Sequence, residues 1–154
     1  MSLEKAKEYL KQFDLDSRVQ ELDLSSATVE LAAKALGTAE ERIAKTLSFQ
    51  LDDRAILIVC AGDAKIDNKK YKGEFGCKAR MIPFEEVEAN IGHPAGGVCP
   101  FGINEGVEVY LDESLKRFET VFPACGTSNS AIELSIEELE RAAGAKQWLD
   151  ICKL

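Results

Sequence analysis

The chain has 154 residues, 45% of them apolar and 30% charged, and carries a formal net charge of −8. That length is one domain, residues 1–154, with room for a single buried core, and the composition excludes a disordered chain. The acidic balance argues against a general DNA or RNA binder, which is ordinarily basic, and no apolar run nears the roughly 20 residues of a membrane helix.

Leu3, Ala6, Tyr9, Leu10 and Phe13 recur at the spacing of a helix. The same segment is charged where a secretory signal needs an apolar centre, so a soluble cytoplasmic protein is expected. Residues 18–24 read as a short strand. Ser25 and Ser26 are N-cap candidates for a helix over 28–36 that Gly37 closes. Thr38 with Glu41 has the spacing of a capping box for a third short helix. Residues 46–51 alternate Leu47, Phe49 and Leu51 on one face, Asp52-Asp53 turn the chain, and 55–60 are apolar on both faces. This predicts a hairpin with a buried second strand.

Further helices are expected over 67–72 and from Pro83 to Ile91, with a short strand over 78–82 between them. Residues 92–102 hold four glycines and two prolines in eleven residues, which predicts a loop. Strands follow over 107–111, 119–124 and 131–134, with a helix or turn over 112–118. Ser135, Glu138 and Gly144 cap and stop a helix over 136–143. Residues 146–152 read as a last short helix. Strands in hairpin-like pairs with helices inserted predict an α+β fold, a single domain with a mixed, mostly antiparallel sheet and surrounding helices.

Five scattered cysteines without a CxxC pair, and His93 as the lone histidine, predict neither a disulfide framework nor a bound metal or other cofactor. Reduced thiols suit the cytoplasm. Residues 65–80 hold six basic side chains (Lys65, Lys69, Lys70, Lys72, Lys78 and Arg80) against Asp67 and Glu74, a local +4 in a chain whose remainder is −12. This window is either a solvated Lys-rich face or a local phosphate-binding patch.

Lys45 stands where a helix is expected to give way to a strand. It either complements a helix dipole or presents an ammonium to a phosphate or carbonyl oxygen. Gly96, Gly97 and Val98 form a loop whose main chain can approach a ligand and direct N–H groups at an anion. It fits neither the GxxxxGK[ST] nor the GxGxxG pattern. His93 reads as loop surface or as a catalytic group, and Cys99 as a structural or pocket-lining thiol in preference to a nucleophile, since no activating base is adjacent. Gly126 and Thr127 open a turn that contacts substrate or merely reverses the chain.

These segments occur in one order: Ser26-Ala27-Thr28, Lys34-Ala35-Leu36-Gly37, Ile43-Ala44-Lys45-Thr46-Leu47, Ala61-Gly62-Asp63-Ala64, Gly96-Gly97-Val98-Cys99-Pro100-Phe101-Gly102, Val109-Tyr110-Leu111-Asp112, Ala124-Cys125-Gly126 and Ile132-Glu133-Leu134. The chain thereby resembles the YbaK / prolyl-tRNA-synthetase-associated editing domains. The resemblance implies a metal-independent hydrolase that deacylates mischarged tRNA, with the tRNA acceptor end as its partner, an aminoacyl-tRNA synthetase as a candidate second partner, and no DNA and no membrane partner. It places the family's lysine on Lys45. It puts the main chain of Gly96, Gly97 and Val98 at the ester; Thr46, His93, Cys99, Pro100, Gly126 and Thr127 are expected beside them as substrate-binding positions, and the basic window is expected to supply the RNA contacts Lys65, Lys69, Lys70 and Lys72. Cys99 stands where relatives often have serine. Ala131 stands where relatives specialised for cysteinyl-tRNA have aspartate, which argues against that specificity here. The alternative is a non-catalytic tRNA- or synthetase-binding module of the same fold.

Overall fold

The computed structural model describes residues 2–154. In chain order the elements are α1 (Ser2–Leu10), β1 (Gln20–Glu21), α2 (Val29–Leu36), β2 (Ile43–Gln50), β3 (Ala55–Ala61), β4 (Lys65–Ile66), α3 (Asn68–Phe75), α4 (Val87–Ile91), β5 (Glu108–Asp112), β6 (Thr120–Pro123), β7 (Ser130–Ala131), β8 (Leu134–Ser135), α5 (Ile136–Ala143), β9 (Gln147–Leu149) and β10 (Cys152–Lys153). Six strands form the main sheet in the order β8-β6-β2-β3-β5-β9, and the pairs β1-β7 and β4-β10 stand apart. The sheet is mixed in an α+β fold. Four of the seven strand pairings are antiparallel, while within the main sheet three of five are parallel.

The β2–β3 hairpin is the spine, paired from Ala44↔Ala61 to Gln50↔Ala55. Ile56 to Ala61 are wholly buried, as a strand covered on both faces requires. Phe49, Tyr71, Phe75 and Tyr110 stack in series at centroid distances of 5.2, 4.8 and 5.4 Å, which seats α3 on the sheet. In α5, Ser135 accepts from the Glu138 N–H while Glu138 reaches back to the Ser135 N–H, and Gly144 closes the helix at φ 60°.

Local signals mislead in four places. Thr28, not Ser25 or Ser26, caps α2 through its hydroxyl. No capping box forms at Thr38; residues 40–42 are one 3-10 turn entered from Ala39 without a side-chain cap. Residues 78–82 make a single bridge, Phe49↔Met81, instead of a strand. Residues 146–152 are not a helix. Gln147–Leu149 adds to the sheet edge parallel to β5, with Leu111 opposite Trp148, and β10 then pairs with β4. A free sheet edge offers these residues main-chain partners that outweigh their weak helical pattern.

Candidate functional site

The sheet is split beside β2. On its outer edge β2 pairs with β6 only at Ile43 and Ala44. Pairing on that edge resumes where Ser48 O accepts from Ile82 N at 3.1 Å and Gln50 N donates to Arg80 O at 2.9 Å. Between these points the edge faces a cleft of about 500 Å³. The cleft is walled by β2 from Ile43 to Ser48, by Val29, Ala32 and Leu36 of α2, by Met81, Ile82, Phe84 and Val87, by Gly96 and Val98, and by Phe122, Ala124, Ser130 and Ala131.

Lys45 is the third residue of β2, inside the strand and not at a helix end. Its ammonium donates to Ala64 O, and to Gly62 O at 3.4 Å, so the turn after β3 holds it at the edge of the cleft. An ammonium has three protons, so two carbonyls leave one for a substrate oxygen. Gly62 fits that turn because it has no side chain: a Cβ there would lie 2.0 Å from Glu40 O.

The glycine loop lines the same cleft as Lys45. Gly97 N donates to Pro94 O at 3.0 Å, closing a four-residue turn whose third residue, Gly96, has φ 92°. That geometry needs a glycine. The Gly97 N–H is therefore occupied, and Gly97 owes its place to packing, since a Cβ on it would lie 2.6 Å from the Gly126 carbonyl carbon. Of the three loop positions, Gly96 and Val98 line the cleft.

Of the other expected substrate positions Thr46 lines the cleft, whereas His93, Cys99, Pro100, Gly126 and Thr127 do not. His93 is buried, not surface. Its Nε2 is 2.6 Å from Phe101 O, so Nε2 carries the proton and Nδ1 is an unpartnered acceptor. Burial lowers its pKa and keeps the ring neutral. Cys99 does not line the cleft either. It is wholly buried, with Sγ 3.7 Å from Phe101 O, and burial pushes its thiol up to about 12. Pro100 is buried beside it. Gly126 and Thr127 back Gly97, and the Thr127 hydroxyl is engaged with Ser130 Oγ at 2.7 Å. All five cysteines are free.

Two buried polar groups on the cleft wall lack hydrogen-bond partners, Thr46 Oγ1 on an expected substrate position and Ser26 Oγ on a residue that read only as a cap candidate and not as a site residue. Buried hydroxyls ordinarily find one, so both are free to meet a ligand. The basic residues lie to the side. Lys65 follows the turn that holds Lys45, and Lys69, Lys70 and Lys72 are exposed on α3. Lys70 is tied to Asp150 Oδ1 at 2.9 Å and Cys152 O at 3.0 Å. No helix among the described residues is long and apolar enough to cross a membrane.

Residues 25–142 match the sequence family described as the aminoacyl-tRNA editing domain. The uncharacterized protein YwhH of Bacillus subtilis (strain 168) is 54% identical over 154 residues, covering 99% of this chain and 98% of its own. An Enterococcus faecalis (strain ATCC 700802 / V583) protein provisionally named Cys-tRNA(Pro)/Cys-tRNA(Cys) deacylase EbsC is 28% identical over 114 residues, 73% of this chain and 70% of its own. Of the proline–tRNA ligases it also resembles, the chain spans about a fifth, 22% of the Bacillus subtilis enzyme. A solved structure described provisionally as a trans-editing enzyme for prolyl tRNA synthetase superposes with a TM-score of 0.89 at 30% identity, covering 99% of this chain and 98% of that one. The family match takes in β2 with Lys45, the glycine loop and the turn behind it, which are the parts that build the cleft, and the chain belongs to the aminoacyl-tRNA editing domain family.

Proposed function

We propose that the protein is a trans-editing hydrolase that cleaves the ester of mischarged aminoacyl-tRNA. The observation that carries this reading is the convergence of Lys45 and the Gly96–Val98 loop on one mostly apolar cleft, in a chain of the editing-domain family. In the reaction, water adds to the ester carbonyl carbon, the bond from that carbon to the ribose oxygen breaks, and the ribose oxygen takes up a proton. Free amino acid and uncharged tRNA leave.

Lys45 and the loop main chain stabilise the charge that develops on the carbonyl oxygen. His93 is a poor general base, because it does not line the cleft and its free lone pair, on Nδ1, is buried beside Gly126. The ribose hydroxyl next to the ester fills that role from the substrate side, at a distance fixed by covalent structure. The acceptor end is held by phosphate contacts from Lys65, Lys69 and Lys72. Editing by a second site is needed because a synthetase pocket separates substrates differing by one methylene by only about 1–3 kcal/mol.

The test is release of labelled amino acid from a panel of mischarged tRNAs at catalytic protein concentrations. Multiple turnovers on one member support hydrolysis. Binding of the whole panel with no release would leave the non-catalytic module as the correct reading. A tRNA lacking the neighbouring ribose hydroxyl should bind normally and react far more slowly.

A further inference from the structure

The split in the sheet leaves one residue with its main chain unpaired on the cleft side. Residues of a strand direct their N–H and C=O groups to alternate edges. Ser48 O and Gln50 N both bond outward, away from β3. By the same alternation the outward-facing residues of β2 are Ala44, Thr46, Ser48 and Gln50. Ala44 is taken by β6, and Ser48 and Gln50 by the segment around Met81. Thr46 alone lies in the gap, where its N–H and C=O face the cleft and its hydroxyl has no partner.

An aminoacyl ester has the same N–Cα–C=O sequence of atoms as a strand residue. In an antiparallel ladder two such units exchange a pair of hydrogen bonds, N–H to C=O in both directions. Resting on the hydrolase reading above, we infer that Thr46 is a one-residue strand-pairing subsite for the aminoacyl group. The Thr46 C=O accepts from the substrate's α-ammonium, and the Thr46 N–H donates to the ester carbonyl. The α-ammonium has two further protons, for which the unpartnered Thr46 Oγ1 and Ser26 Oγ are acceptors on the same wall. This subsite reads the atoms common to every amino acid, so it selects aminoacyl esters over simple acyl esters while leaving side-chain choice to the apolar walls. It also places the ester carbonyl on a main-chain donor next to Lys45.

The experiment uses the full chain, ¹⁵N-labelled, with two non-hydrolysable probes: 3′-(L-alanylamino)-3′-deoxyadenosine and its deaminated counterpart, the 3′-propionylamino compound. At saturation the alanyl probe should slow hydrogen exchange of the Thr46 amide by about fivefold, the worth of a hydrogen bond to a neutral carbonyl, and should bind more tightly than the propionyl probe by at least about tenfold, the worth of a hydrogen bond from a charged group. In parallel, alanyl and propionyl esters of one tRNA are compared in wild type and in Ser26→Ala/Thr46→Val. The wild type should prefer the alanyl ester in kcat/KM, and the variant should lose part of that preference while remaining folded by circular dichroism. An active enzyme with an unprotected Thr46 amide, or with equal rates on the two esters, overturns the subsite and leaves the hydrolase reading standing. A protein that hydrolyses no mischarged tRNA but protects Thr46 against the alanyl probe alone keeps the subsite and overturns the hydrolase. Failure of the alanyl probe to bind an active enzyme overturns the subsite.

Discussion

Gly97 is packed against Gly126 with no room between them: a methyl group on Gly97 would sit 2.6 Å from the Gly126 carbonyl carbon and 2.6 Å from the Thr127 nitrogen. Both neighbours are main-chain atoms, so relief requires one loop to move. Gly97→Ala should therefore lose stability by about 1–3 kcal/mol, as overpacking does, and should lower turnover by displacing Gly96 and Val98. Chemical denaturation beside single-turnover deacylation checks both. At Gly96 a Cβ meets nothing nearer than 3.7 Å, but φ is 92°, so Gly96→Ala is strained by its backbone and not by contact.

Lys45→Ala should reduce turnover by about 100-fold, the scale of a lost donor at a developing oxyanion, with the circular dichroism spectrum unchanged. The side chain is only half-buried and its polar contacts are confined to the Gly62 and Ala64 carbonyls of one turn. A folded Lys45→Ala enzyme with wild-type turnover would remove this lysine from the chemistry.

Lys69→Glu/Lys72→Glu should raise KM for tRNA and flatten its salt dependence while leaving kcat nearly constant, because phosphate contacts release counterions. Lys70 is the wrong member of the cluster to test, since its bonds to Asp150 and Cys152 O tie α3 to the last strand. Its reversal would confound structure with binding. Steady-state kinetics at two salt concentrations decides.

Cys99→Ala should change turnover little. The thiol is buried with its pKa pushed up to about 12, so thiolate is scarce at neutral pH, and alkylating reagents should leave Cys99 unmodified in the folded protein. Near-complete loss of activity, or a thioester trapped on Cys99, would make it a nucleophile.

Burial lowers the pKa of His93 below its unfolded value of about 6.5. In the interval between the folded and unfolded values the unfolded chain binds more protons. The stability contributed by the neutral ring is therefore complete above about 6.5 and is lost as pH falls from there through the folded pKa. His93→Gln removes this titration, so its Tm should fall less than that of wild type between neutral and mildly acidic pH. Equal slopes would mean that other groups dominate the acid limb. Glu108 and Glu138, held at about 2 by Lys146 and Arg54 and by Arg18 respectively, act only at lower pH.

What the sequence by itself determined were the features encoded within a few neighbouring residues. The capping box of Ser135 and Glu138, the stops at Gly37 and Gly144, the Asp52-Asp53 hairpin and the buried run of β3 are each written in local spacing, and all formed. The order of the short motifs also identified the family, because together they fix the parts of one cleft. Tertiary structure alone decided the rest. Residues 146–152 pair with a sheet edge that strands from elsewhere in the chain build. His93 and Cys99 lie behind the cleft wall and not on it, because α1 and the Gly126 turn cover them. Thr46 is an expected substrate position, but nothing in the sequence shows that its main chain is unpaired. Its exposed main chain exists only because β6 leaves β2 after Ala44 and the Met81 segment joins it again at Ser48. Pairing between segments tens of residues apart leaves no trace in the spacing of either one, so an unpaired main-chain site at their junction can be read only from the assembled sheet.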